Sequence, residues 1–182
     1  IIGRFYSALF STLTIPLVFF LAKNVFNKYT AIIASLLTTF TVVFIQIAHF
    51  SITENFLTLI AALICLLSIK LLKTRSFKNY VLCGISIGIG AATKTTALSL
   101  VIFPLVAHIL NIAKSPYSFI KRIALLFVFL YTALSIFTIF SPYTFLKWGK
   151  FMESMRYESG VAIGTLPVPY TLQFTHTTPY FF

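Results

Sequence analysis

Apolar residues fill this chain in long runs rather than in stripes. Stretches at about 5–22, 30–48, 53–72, 79–92, 95–112 and 122–141 carry few or no charges. A helix needs roughly 20 apolar residues to cross the ~30 Å hydrocarbon core of a bilayer. The pattern therefore predicts an all-α, polytopic transmembrane helical bundle of about five to six membrane segments. The fourth run is short and meets the fifth at the polar "ATKTT", residues 92–96. Either two half-length helices meet at a polar break there, or two tilted spans do.

Beyond residue 141 the runs stop and prolines gather at Pro142, Pro167, Pro169 and Pro179. Residues 142–182 read as a long loop outside the membrane. Within it Phe145, Trp148, Phe151, Met152 and Met155 recur at helical spacing, with Lys147, Lys150, Glu153 and Arg156 between them. That spacing predicts an amphipathic helix from Tyr143 to Arg156 lying on the membrane surface, with Trp148 at headgroup level. Tyr157 and Glu158 follow it and are candidates to reach a substrate site on the same side.

Composition agrees with the pattern. The chain is 59% hydrophobic and 9% charged, against about 25% charged for a soluble domain. Its net charge of +11 does not point to nucleic acid, because the basic residues recur in short clusters between apolar runs. Cys65 and Cys83 both lie inside such runs, which argues against a disulfide framework or a metal site. With no initiator Met, no signal peptide and an end at Pro179-Tyr180-Phe181-Phe182, the sequence reads as an internal segment of a longer polytopic protein.

Lys and Arg give an orientation. If the spans alternate, Lys23, Lys28, Lys70, Lys73, Arg75, Lys78, Lys114, Lys121 and Arg122 share one side, and Arg4, Lys94, Lys147, Lys150 and Arg156 the other. The positive-inside rule puts the denser set in the cytoplasm. The non-cytoplasmic side then collects Arg4, the turn between His49 and Glu54, Lys94 and the 142–182 loop.

The polar groups on that side each have a structural and a functional reading. The acids of the chain are Glu54, Glu153 and Glu158 alone. Ser51-Ile52-Thr53-Glu54 fits a capping box, in which Ser51 accepts from the Glu54 N–H and Glu54 reaches back to the Ser51 N–H. An ionisable group at the membrane also costs free energy, about 3 kcal/mol at mid-bilayer, and so invites a functional role. His49 either hydrogen-bonds to backbone or takes part in a site, and it meets Glu54 only if a turn separates them. Arg4 either snorkels or offers its planar fork to a phosphate. Lys94, flanked by Thr93, Thr95 and Thr96, needs an anion if it lies at membrane depth.

Two motifs are refused. "GIGAATKT" (88–95) has Thr93 where a phosphate-binding loop needs its second Gly, and it lacks a preceding strand. Gly84 and Gly88, four apart in an apolar run, are better explained as a close helix-packing face.

Four blocks carry a resemblance. "GRFYSALFSTLTIPLVFFLAKNVF" (3–26), "AHFSITENFLTLI" (48–60), "GISIGIGAATKTTAL" (84–98) and "SPYTFLKWGKFMESMRYESG" (141–160) resemble, in order, the GT-C glycosyltransferases. The nearest group is the prokaryotic branch of the dolichyl-phosphate-mannose–protein mannosyltransferase-like family. The resemblance implies a membrane enzyme that takes a hexose or mannose-like sugar from a polyprenyl-phosphate carrier on the extracytoplasmic side of the cell membrane. The acceptor would be a protein hydroxyl or a cell-envelope glycan or lipid.

In those terms residues 1–141 are the transmembrane part of a GT-C domain, with N- and C-terminal parts lying outside the segment, and residues 142–182 are its extracytoplasmic loop. Arg4 matches an arginine associated with the carrier phosphate, and Lys94 a recurrent Thr-Lys. Glu54 stands where the family has Asp in "H-F-x-x-x-[acid]", with Asn55 beside it. The family's principal carboxylate is expected upstream of this segment.

The implied reaction is an inverting displacement at the anomeric carbon. A carboxylate takes the acceptor's proton, and Arg4 and Lys94 stabilise the departing phosphate. Catalytic candidates are Glu54 and His49; substrate-binding candidates are Arg4, Lys94, Asn55, Tyr157 and Glu158. No metal or cofactor is expected. The rival reading is a transporter or lipid-flippase segment, which predicts an internal repeat or broken helices binding near the midplane.

Overall fold

A computed structural model describes residues 2–74, 76–112, 119–166 and 168–169. The expected positions Arg75, Lys114, Pro167, Pro179 and the loop from 170 onward lie outside the described residues. The chain divides into two compact units, Ile1–Phe140 and Ser141–Phe182.

Among its described residues the first unit consists of helices joined by short connections. Helices α1 (Ile2–Val25), α2 (Lys28–Phe40), α3 (Val42–Ala48), α4 (Glu54–Lys73) and α5 (Phe77–Thr93) are followed by a 3₁₀ helix (Thr95–Val101). Helices α6 (Ile102–Ile112) and α7 (Phe119–Phe140) complete it. Among the described residues three helices, α1, α4 and α7, are long and apolar enough to cross a membrane, and a fourth span results if α2 and α3 count as one. Helix α5 has 17 residues and falls just short. The 3₁₀ helix and α6, with 7 and 11 residues, together rise about 30 Å. The all-α polytopic fold is as expected, and among the described residues length and composition alone mark three to four spans.

One expected span is bent. The run 30–48 breaks at Thr41, where α2 and α3 meet at 53°. Thr38, Thr39 and Thr41 donate their hydroxyls to the carbonyls of Ala34, Ser35 and Leu37. Such back-bonding from β-branched residues bends helices.

Long-range contacts give the helix directions. The Ser11 hydroxyl in the first half of α1 meets Asn55 near the start of α4, and Lys73 at the end of α4 donates to the Asn24 carbonyl near the end of α1 at 2.7 Å. Helices α1 and α4 are therefore parallel. Tyr80 near the start of α5 bonds His108 on α6 at 2.7 Å, so α5 and the segment after it form an antiparallel hairpin with its corner at Lys94. This settles the 79–112 region as two antiparallel members rather than two half-helices meeting at a break.

Helix α4 supplies the core stripe, with Ile60, Ile64, Leu67 and Leu71 buried against Tyr80, Cys83 and Ile87 of α5, Ala107 of α6 and Phe129 of α7. Cys65 and Cys83 are free thiols. Gly84 and Gly88 form the expected packing face. A Cβ on either would lie 2.7 Å from a backbone oxygen of α7, that of Phe129 or of Ala133. The Gly-rich segment is thus continuous helix to Thr93, with no loop in which a nucleotide phosphate could sit.

The second unit contains α8 (Tyr143–Leu146) and α9 (Trp148–Ile163). The amphipathic helix expected over Tyr143–Arg156 is instead broken at Lys147, whose φ of −126° and ψ of 51° leave the helical region. After the break α9 runs on past Arg156, so Tyr157 and Glu158 are helical residues and do not follow the helix. Helix α9 ends at Gly164, whose φ of 81° suits a residue without a Cβ.

Candidate functional site

The polar corner of the first unit is built from three elements. Helix α1 contributes its first turns, where Gly3 packs so closely on Ser51 that a Cβ would strike the Ser51 side chain. The Ser7 hydroxyl donates to the Ile52 carbonyl at 3.4 Å. These contacts fasten the 50–53 turn to the start of α1. The turn then delivers Glu54 as the first residue of α4. The third element is the hairpin corner at Lys94, held extended with φ −154° and ψ 126° between α5 and the 3₁₀ helix.

Glu54 and Lys94 meet there. Lys94 Nζ lies 3.0 Å from Glu54 Oε1, and the two side chains are 47% and 48% exposed, Glu54 first. Lys94 thus has the anion its position demanded, and that anion is the acid whose presence the sequence left to be explained. At half exposure the pair is worth little as a stabiliser, since exposed ion pairs give about 0–1 kcal/mol. The other carboxylate oxygen of Glu54 has a long 3.5 Å contact from the Thr53 hydroxyl.

The capping box does not form. Thr53, not Ser51, is the residue before the helix, and it makes no side-chain cap bond. Ser51 is spent on packing against Gly3, and Glu54 turns outward to Lys94 instead of back to the Ser51 N–H. The acid still sits in the first turn, where the helix dipole favours it.

The other candidates fall into three situations. Arg4 is exposed on the first turn of α1, at the same end of the bundle, with no partner among the described residues. His49 closes α3, exposed, with Nδ1 2.7 Å from the Ile45 carbonyl. A turn does separate it from Glu54, yet the two do not hydrogen-bond.

Asn55 is 1% exposed. Its Oδ1 accepts from Ser11 at 3.0 Å and its Nδ2 donates to the Ile47 carbonyl at 2.8 Å. In this state its amide ties α1, α3 and α4 together. Tyr157 and Glu158 are exposed on α9 of the second unit.

Below the ion pair, a cavity of about 350 Å³ runs between α4 and the 3₁₀ helix. Glu54, Thr58, Thr96 and Ser99 supply its polar groups and Leu57 and Leu100 much of its apolar wall. The sequence pointed to Glu54 and Thr96 of this lining, but not to Thr58, Ser99 or the buried Tyr80–His108 pair. Thr58 and Ser99 lie in runs that read as ordinary span. Among the described residues no cluster of His, Cys, Asp or Glu is arranged to hold a metal.

A family model described as dolichyl-phosphate-mannose-protein mannosyltransferase matches residues 2–145. The match takes in Arg4, His49, Glu54, Asn55 and Lys94 and stops short of Tyr157 and Glu158. No curated protein and no solved structure matches the chain significantly.

Proposed function

The chain belongs to the dolichyl-phosphate-mannose-protein mannosyltransferase family, and from that premise we propose that it serves transfer of mannose or a related hexose from a polyprenyl-phosphate carrier. The acceptor is a protein hydroxyl or a cell-envelope glycan or lipid, and the reaction takes place on the extracytoplasmic face of the cell membrane. The observation that carries this reading is the half-exposed Glu54–Lys94 pair at the polar end of the bundle.

The pair supplies the two charges the reaction needs. As the donor phosphate arrives, Lys94 exchanges its carboxylate partner for phosphate oxygens, and Arg4 is the second cation at that end. The acceptor oxygen forms its bond to the anomeric carbon while the sugar–phosphate bond breaks. The electron pair leaves with the phosphate, where fixed positive charge is worth most in the transition state. Glu54, released from Lys94, shares with the principal carboxylate expected upstream the task of taking the acceptor's proton; it is the one carboxylate in residues 1–140.

Variants of the full-length protein with a radiolabelled polyprenyl-phosphate sugar test this. Glu54→Gln keeps the shape and removes the base, and is expected to lower kcat by about 10²–10⁴ with donor KM little changed. Lys94→Met is expected to lower kcat/KM by about 10²–10³. Turnover of Glu54→Gln at the unmodified rate would reduce Glu54 to a partner for Lys94 and remove it from the chemistry.

A further inference from the structure

The second unit carries a concave face that the transfer reaction does not use. The break at Lys147 leaves a hollow of about 400 Å³ beside α8 and α9, with polar groups from Ser141, Thr144, Lys147, Lys150 and Ser154. Two of these are cations, and no acid lines the hollow. Glu153 and Glu158 are on the same helix, yet neither pairs with Lys147 or Lys150 among the described residues. Lys147 instead lies over the Tyr143 ring, 5.7 Å from its centre, an attraction that leaves its charge unneutralised.

The hydroxyls add a donor. Ser141 and Thr144 share one hydrogen bond of 2.8 Å, so of their two protons one is left to give. Two unneutralised cations and a spare O–H suit a group that brings both negative charge and acceptor oxygens, as a phosphate does.

Chain connectivity fixes which phosphates lie near. Helix α7 is long and apolar enough to span the membrane and ends at Phe140, and Ser141 is the next residue. The hollow therefore starts where that helix leaves the hydrocarbon, at headgroup level. Tyr143, Leu146 and Trp148 are exposed and need the cover that a bilayer surface provides. A dissolved anion would leave them in water.

We propose that this hollow holds the phosphate of an anionic diacyl phospholipid and so seats the second unit on the bilayer. A zwitterionic lipid fits less well, because it brings a cation of its own towards Lys147 and Lys150. The claim rests on α7 as a span and on these side chains, not on transfer of a sugar, so the two fail separately.

The test uses the full-length protein in nanodiscs, with lysine acetylation rates read residue by residue by mass spectrometry. A lysine held on a phosphate is a poorer nucleophile. Replacing part of the phosphatidylcholine by phosphatidylglycerol is expected to slow Lys147 and Lys150 about fivefold beyond any slowing at exposed Lys28, which reports general surface charge. In Lys150→Gln, the phosphatidylglycerol content that half-protects Lys147 is expected to rise about fivefold. Equal slowing at all three lysines would leave only a charged surface. Equal protection by dissolved glycerol phosphate would make the hollow a free-anion site. Stronger protection per molecule by polyprenyl phosphate would assign it to the sugar carrier. Each of these results overturns the proposal.

Discussion

Asn55 stands next to the ion pair and yet is buried with both ends of its amide engaged. Removing one partner from a buried hydrogen-bonded group leaves the other unsatisfied, which costs about 1–3 kcal/mol. Asn55→Ala orphans the Ile47 carbonyl bond and the Ser11 hydroxyl together. It is therefore expected to destabilise the protein by at least that range, read as a lowered midpoint of thermal unfolding in detergent. A wild-type midpoint would show that the amide ties nothing. At this scale the sequence exposed isolated charges well and their partners poorly. Glu54 and Lys94 each stood out as a lone ion in an apolar chain, but forty positions separate them, and no local spacing joins them. The Ser51–Glu54 spacing suggested a cap that the fold does not make, because Gly3 claims Ser51 through a contact from another helix. Asn55 looked like a site residue by its neighbourhood, and only its burial shows the tie it makes.

Between α5 and α7 the two glycines do what their spacing suggested. With backbone oxygens of α7 2.7 Å from a would-be Cβ, Gly84→Ala and Gly88→Ala force the helices apart. Overpacking of this kind costs about 1–3 kcal/mol. Each substitution is expected to lower the unfolding midpoint, and the double variant to lower it further, whereas Gly149→Ala, with open space around it, is expected to change it little. Equal sensitivity at all three would deny the packing role. Run length and the i, i+4 glycine pair were legible because they depend on one helix at a time. The bend at Thr41 and the break at Lys147 were not. Apolar periodicity survives a one-residue interruption, so a bent or broken helix presents the same spacing as a straight one. The hairpin corner at Lys94 was visible as a polar interruption, but whether the chain turned back or continued depended on the distant Tyr80–His108 bond.

Across the first unit the charges separate by end. Lys23, Lys28, Lys70, Lys73 and Lys78 lie in the last or first turns of α1, α2, α4 and α5 at one end. Helix α7 runs parallel to α5, since Gly84 faces Phe129 and Gly88 faces Ala133; its start, with Lys121 and Arg122, therefore joins them. The opposite end holds Arg4, Glu54 and Lys94. Lys and Arg are retained on the cytoplasmic side of short connections, so the transferase reading requires the Lys94 end to face outward. Single cysteines decide this, because the native thiols sit inside helices, Cys83 buried and Cys65 half-buried. In intact cells a membrane-impermeant maleimide is expected to label Lys94→Cys. Lys78→Cys is expected to react only after permeabilisation. The reverse pattern would put the ion pair in the cytoplasm. A carrier-linked sugar displayed on the outer face could not then reach it, and the proposed reaction would lose its donor whatever the chemistry of Glu54.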